Sequence, residues 1–161
     1  MAQRPKHDEA DVQVVTRNRR AFHEYEVLER IECGIALVGT EVKSLREGHA
    51  NLEDAYAKLE GREVWLVGSE IPEYPFGNRL NHKPKRTRKL LLHRREIEKF
   101  AGKASQRGFT LVPLRLYFKQ GRAKVEIAIA KGKQSHDKRE SLKKAAADRE
   151  MRRAIANRRR S

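Results

Sequence analysis

Residues 114–129, LRLYFKQGRAKVEIAI, decide the fold class. Leu114, Leu116 and Phe118 alternate with Arg115, Tyr117 and Lys119; Gln120-Gly121 supplies turn residues; Val125, Ile127 and Ile129 then alternate with Lys124, Glu126 and Ala128. Successive side chains of a strand point to opposite faces, so the pattern is a hairpin whose two strands each carry one apolar face. The same period puts Lys124 on the outer face, opposite an inward Val125.

Upstream, Tyr25, Val27, Ile31, Cys33, Ile35 and Leu37 keep strand parity and predict a strand pair, bent or turned near residues 29–34. Thr40 is expected to cap a short helix whose Val42 and Leu45 share a face and which Gly48 ends. Residues 54–60 and 63–67 flank Gly61-Arg62, a second hairpin signal. Residues 72–86 hold Pro72, Pro75, Gly77 and Pro84 and read as a long loop, a length that goes with function or disorder. Leu90-Leu91-Leu92 is a short extended run, and Ile97, Phe100, Ala101 and Ala104 fall at helical spacing before Gly108. Short, hairpin-linked strands with few helices predict a mainly β chain with helices, an antiparallel OB-like β-barrel with two or three flanking helices. Residues 1–17 lack periodicity and are assigned to a flexible N-terminal arm, residues 18–131 to the barrel.

Beyond Ile129 the apolar pattern stops. Residues 131–161 carry twelve cations against four acids, so residues 132–161 read as a basic tail. Asp137 and Glu140 are spaced as a capping box, and Ala145-Ala146-Ala147 favours helix. The apolar stripe is thin, however: Leu142, Met151 and Ile155. A helix over residues 137–157 buries little and is marginal alone in water, so it is expected to order when a polyanion partners it.

The whole chain of 161 residues carries a formal charge of +15. Such a field draws polyanions, and with no long apolar run or strongly amphipathic basic helix, nucleic acid rather than membrane is the expected partner. The single Cys33 allows no internal disulfide, and no apolar leader opens the sequence; both readings suit a cytoplasmic protein.

Catalysis is not expected. Ser135, His136 and Asp137 are neighbours in the chain, but a triad is an arrangement in space held by a rigid fold. Glu32, Glu41, Glu53 and Asp54 resemble a metal-nuclease set only in composition; caps and ion-pair partners are the ordinary use of such acids. The six histidines have no ligand spacing, so neither metal nor cofactor is expected. Residues 82–95, HKPKRTRKLLLHRR, hold seven cations and no acid, which suits phosphate contact. Aromatics are too scattered for a single-strand stacking platform, and folded RNA recognised by shape fits better. From the residues alone, a general ribosomal or ribosome-assembly RNA-binding protein remains the alternative.

The stretches NRRAFHEYEV (residues 18–27), GTEVKSLREGHANLEDAY (39–56), RTRKLLLHRREIEKF (86–100), TLVPLRLYFKQGRAKVEIAIAKGK (110–133) and HDKRE (136–140) resemble, in order, the small protein B family of bacterial SsrA-binding proteins. Cys33 and Gln134 depart from the residues more usual there. The resemblance implies an adaptor that grips the tRNA-like domain of transfer-messenger RNA (tmRNA) and delivers it to stalled ribosomes for trans-translation. It further implies an RNA-binding surface of Asn18, Arg19, Glu32, Arg86, Thr87, Arg88, Lys89, Leu91, Lys124, Lys131, Gly132 and Lys133. By the same resemblance the tail is disordered when free and helical in the empty messenger channel, with His136, Asp137, Lys138 and Arg139 at the decoding centre. Elongation factor Tu and alanyl-tRNA synthetase are implied partners through tmRNA, and the adaptor itself is expected to be a monomer in the bacterial cytoplasm.

Overall fold

The structure, a computed structural model, describes residues 12–160 other than 78, 79, 107 and 134. In chain order the elements are β1 (Val12–Arg17), α1 (Arg19–Glu24), β2 (Tyr25–Ile35), α2 (Gly39–Arg46), β3 (Tyr56–Glu60), β4 (Glu63–Val67), β5 (Arg88–Leu91), α3 (Arg94–Ala104), β6 (Phe109–Lys119), β7 (Arg122–Gly132) and α4 (Ser135–Arg160). The chain is therefore mainly β, with seven strands and four helices.

Every pairing is antiparallel, in the order β1-β6-β3-β4-β5-β2-β7, and β6 also pairs with β7. Six strands thus form a closed circuit of pairings, and β1 lies on β6 outside it. The circuit is strongest along β2-β7-β6, where the long strands run side by side. It is thinnest at β3-β6, joined through Ala57 and Leu111.

The β6-β7 hairpin forms as its alternation predicts. Gln120 and Gly121 both take positive φ, 51° and 75°, the backbone of a tight turn that follows the twist of its strands. Val125 is fully buried and Lys124 turns the other way, half-buried.

Several expectations need correction, and bulges explain two of them. Residues 25–35 form one continuous strand rather than a turned pair. A register shift between Val27 and Glu29 inserts Leu28, half exposed, and kinks the strand without breaking it. The shift between Pro113 and Arg115 inserts Leu114 in the same way. Strict alternation put Leu114 on the face of Leu116 and Phe118. Instead Leu114 packs with Val112, Ala128, Ala130 and Ala21 under α1, while Leu116 and Phe118 join the main core. A bulge changes which residues share a face, and Pro113 sits beside it, where a missing N–H is tolerated.

Residues 12–17 are not part of an arm. Val12–Arg17 pair with β6 from Lys119 to Arg115, with a register shift between Val14 and Thr16, and Val15 packs on the main core. Their alternation is too short and too polar to stand out, but the open edge of β6 recruits them. Residues 1–11 lie outside the described part. Thr40 does not cap α2: Val38 is the cap residue, and Glu41 accepts from its backbone N–H at 3.0 Å. Thr40 is drawn instead to His82, at 2.8 Å.

The main core gathers Cys33, Leu45, Leu66, Leu90, Phe100, Leu116, Val125, Ile127 and Ile129 inside the circuit. Burial pushes the Cys33 thiol up to about 12, so it stays protonated and unreactive at neutral pH. Among the described residues no helix is long and apolar enough to cross a membrane.

Because β1 covers an edge of β6, removing residues 1–17 is expected to destabilise the protein rather than trim it harmlessly. The loss should be at least about 2 kcal/mol, the burial of one large aliphatic side chain. Urea unfolding followed by circular dichroism reads it, and an unchanged midpoint would show that β1 contributes nothing.

Candidate nucleic-acid interface

One side of the β2-β7-β6 sheet is divided in two. Over its first half α1 covers Ala128, Ala130, Val112 and Leu114. The other half is open and polar, because the same side of β7 presents Glu126 and Lys124 further along. The paired registers Glu32–Glu126–Arg115 and Gly34–Lys124–Tyr117 place their neighbours. Phe22 of α1 marks the boundary, with the Arg30 guanidinium 5.6 Å from its ring centre.

Asn18 fixes that helix. Its Oδ1 accepts from the Ala21 N–H at 3.2 Å, and its amide nitrogen donates to the Leu52 carbonyl at 3.1 Å and the Pro113 carbonyl at 3.0 Å. Its own backbone N–H donates to the Leu114 carbonyl at 2.7 Å. Asn18 is only 2% exposed, so it presents no side chain to RNA. It acts as an N-cap that ties α1 to the bulge and orients the exposed Arg19.

Across the open half, Glu126 joins Arg115 at 3.1 Å and Arg30 at 3.5 Å, and Arg115 lies 4.5 Å above the Tyr117 ring. Tyr117 is buried, and its hydroxyl donates to the Glu32 carboxylate. Lys119 lies 3.4 Å from the same carboxylate. Burial pushes the Glu32 carboxyl upward, but the Tyr117 hydroxyl and the Lys119 and Lys124 cations outweigh it and hold it below the usual carboxylate range. Burial and the facing carboxylate both push the Tyr117 phenol up, so it remains a donor. Glu32 is thus an ionised, oriented acceptor beside Lys119 and Lys124, in a groove that Glu96 also lines. Such a carboxylate can accept N–H or O–H donors of the kind a base or ribose offers, whereas cations suit phosphate.

Glu32, Leu91 and Lys124 come together. With Arg30, His93 and Glu96 they line an open groove of about 550 Å³. Gly34 shapes its wall, since a Cβ there would stand 3.1 Å from the Cβ of Leu91. The missing side chain lets Leu91 lie against β2 while remaining 52% exposed. An outward leucine beside an acceptor and a cation is suited to an apolar ribose or base face.

The run Arg86-Thr87-Arg88-Lys89 divides by strand parity. Arg88 and Leu90 point inward, Lys89 and Leu91 outward. Arg88 is fully buried, so it is no phosphate contact. Its guanidinium pairs with Glu41 and donates to the carbonyls of Ser69, Arg86 and Pro84 at 2.9, 2.9 and 3.0 Å. Glu41, itself fully buried on α2, also takes Arg86 at 2.5 Å. This cluster clamps residues 84–88 to α2. Parity with Leu90 was the signal for an inward Arg88; its acceptor, Glu41, was too distant in sequence to be read. Lys89 pairs with Glu63 at 2.9 Å, and Thr87 is exposed.

At the far end of the face, Lys131 and Gly132 are exposed. Lys133 is engaged, its Nζ donating to the Phe22 carbonyl at 3.0 Å and its N–H to the Glu24 carbonyl at 2.9 Å, which clips the exit of β7 to α1. Lys124 and Gly132 are eight residues apart on one strand, so the face is about 27 Å long. His136, Asp137 and Lys138 lie in the first turns of α4, with side chains outside the described part; Arg139 is exposed.

A closed antiparallel sheet with a polar, largely cationic face and an appended basic helix defines a protein built to bind a folded polyanion. Its family is shown by comparison: the model of the SmpB protein family matches residues 15–157, and the chain belongs to that family. The SsrA-binding protein of Mycolicibacterium vanbaalenii is 52% identical over 159 residues, covering 98% of this chain and 96% of the relative. That of Corynebacterium jeikeium is 55% identical over 145 residues, covering 90% and 79%. A chain solved in work described as "tmRNA-SmpB: a journey to the center of the bacterial ribosome" is 47% identical, covers 78% of this chain and 87% of its own, and superposes with a TM-score of 0.65.

Two consequences are measurable. Glu41→Gln leaves two arginines without their anion and should cost about 3–5 kcal/mol at neutral pH. Burial raises the Glu41 carboxyl, but its arginines and the Val38 N–H hold it below the ordinary value. The stability it contributes is therefore complete above about pH 4.3 and is lost as pH falls through the lower folded value. The deficit of Glu41→Gln in urea should shrink in acid; a constant gap from pH 7 to pH 3 would contradict the ion pair. Tyr117→Phe should keep the fold but release Glu32, weakening RNA binding about 3- to 10-fold, the worth of one ordinary hydrogen bond. Filter binding measures it, and unchanged affinity would remove Tyr117 from the site.

Proposed function

We propose that this protein binds the tRNA-like domain of tmRNA and delivers it to stalled ribosomes, where α4 occupies the messenger channel left empty near the decoding centre. The observation that carries the reading is the convergence of Glu32, Leu91 and Lys124 on one groove, beside a sheet face whose unshared cations continue to Arg19 and Lys131. Membership of the SmpB family and the SsrA-binding relatives support the RNA named. The strand circuit is read as an OB-like barrel that clasps RNA by shape, with residues 18–131 as the RNA-binding unit.

The division of labour follows from packing. The circuit of strands has its own core, whereas α4 leaves Leu142, Met151 and Ile155 exposed at 57%, 68% and 52%. A 26-residue helix is about 39 Å long, enough to extend well away from the sheet. With so little buried, its shape depends on what surrounds it, and a channel lined with RNA phosphate supplies the counter-charge. In this reading His136, Asp137, Lys138 and Arg139 meet the decoding centre. Elongation factor Tu and alanyl-tRNA synthetase act on the assembly through tmRNA, in the bacterial cytoplasm. No step here calls for a catalytic residue.

Truncation after Lys133 should leave affinity for the tRNA-like domain within a few-fold of wild type and abolish alanine tagging on stalled ribosomes; loss of RNA binding would contradict two separable parts. Lys124→Glu should weaken binding and lower the slope of log affinity against log salt by about 0.7–0.9 for each phosphate no longer neutralised. An unaltered slope would place Lys124 away from phosphate. Equal competition by duplex RNA of the same length would favour a general RNA-binding protein instead.

A further inference from the structure

The loop between β4 and β5 carries a built tip with no part in the groove. Asn81 folds it: Oδ1 accepts from the Tyr74 N–H at 3.1 Å, and the amide donates to the carbonyls of Tyr74 at 2.7 Å and Gly77 at 3.0 Å. The Gly77 N–H closes the turn on the Tyr74 carbonyl at 2.9 Å. Buried His82 then locks the tip to the body, bridging Thr40 Oγ1 at 2.8 Å and the Ile71 carbonyl at 2.7 Å. The fit is close, for a Cβ on Gly77 would stand 3.0 Å from Thr40 Cγ2.

Bracing of this kind ordinarily holds something inside. Here it holds Phe76 outside, 79% exposed. Tyr74 supports it edge to face at 5.6 Å, and Lys43 Nζ lies 5.6 Å from the Tyr74 ring centre. Lys83 and Lys85 are exposed on the same loop, and none of Lys43, Lys83 or Lys85 joins an ion pair among the described residues. A ring with a bare face, held on a braced loop that also carries unshared ammonium groups, matches an unpaired nucleobase with its flanking phosphates. A protein partner would want a broad apolar face, whereas Phe76 and Leu80, 79% and 92% exposed, share their loop with the exposed Lys83 and Lys85.

We propose that Phe76 is a stacking platform for an unpaired base of the same folded RNA that fills the Glu32–Leu91–Lys124 groove; this rests on the function proposed above. α2 and β5 tie the two contacts together: Thr40 holds His82 of the loop, and Glu41 holds Arg88 at the start of the strand that carries Leu91. A folded RNA held at both contacts has its orientation on the protein fixed rather than free to pivot.

The test uses the full chain and a transcript of the tRNA-like domain. Phe76→Ala should weaken binding about 5- to 150-fold, the range for loss of one base–aromatic stack. Phe76→Leu should lose as well, since it keeps the apolar surface but has no ring, and Phe76→Trp should bind like wild type. Phe76→p-benzoylphenylalanine should cross-link to a single-stranded nucleotide of that transcript in the binary complex. Affinity within twofold of wild type for Phe76→Ala, or no cross-link to the transcript while the wild-type protein binds it, would overturn the stacking site and leave the proposed function standing. Wild-type protein that ignores the transcript would overturn both.

Discussion

The interface depends on a constraint of strand geometry: a side chain in a sheet has two directions, and only a bulge exchanges them. Along β7 the residues facing one way are Lys124, Glu126, Ala128 and Ala130. The last two are small enough to lie under α1, and the first two are polar enough to meet solvent. β2 and β6 match this division because each bulges near the boundary, at Leu28 and Leu114. Val27 and Leu114 therefore turn toward α1, while Ile31, Leu116 and Phe118 return to the main core. β7 makes the division by residue type alone; in β2 and β6 the shifts let Val27 and Leu114 face α1 while Ile31 and Leu116 still reach the main core.

This explains which parts were legible. The hairpin, the inward Val125 and the outward Lys124 follow from period two, and the structure places them so. The bulges were hidden, since Leu28 and Leu114 are as apolar as the neighbours they displace. β1 was missed because six residues of weak alternation acquire a face only when the edge of β6 is present. Arg88 was misread because a cation in a basic run looks solvated until a buried carboxylate is known to face it. Asn18 was placed on the interface by resemblance, and its burial makes it a support for Arg19 rather than a contact. In each case the missing information was a partner brought close by folding, not a property of the local stretch.

The acids make the surface selective. A uniformly cationic face attracts any phosphate backbone, and its affinity falls steeply with salt. Glu32, oriented by Tyr117 and held ionised by Lys119 and Lys124, repels phosphate from its own position and accepts only where a donor is offered. Glu126 works differently, occupying Arg30 and Arg115 and thereby fixing those long side chains at modest entropic cost. Several of the chain's cations are therefore engaged internally, and those that remain unshared define where a phosphate can dock.

The two ends of β7 then set two mechanical regimes. Lys124 lies in a sheet whose every neighbour is paired, so a ligand meets a surface already in its bound shape, with little ordering cost. At the other end the Lys133 N–H closes on the Glu24 carbonyl, and past this clip the chain enters α4 with its apolar side chains still exposed. The clip matters because it ends β7 at a defined place beside α1. In the proposed function, recognition at the groove and insertion by the tail both rest on β7, which holds Lys124 near one end and precedes α4 at the other.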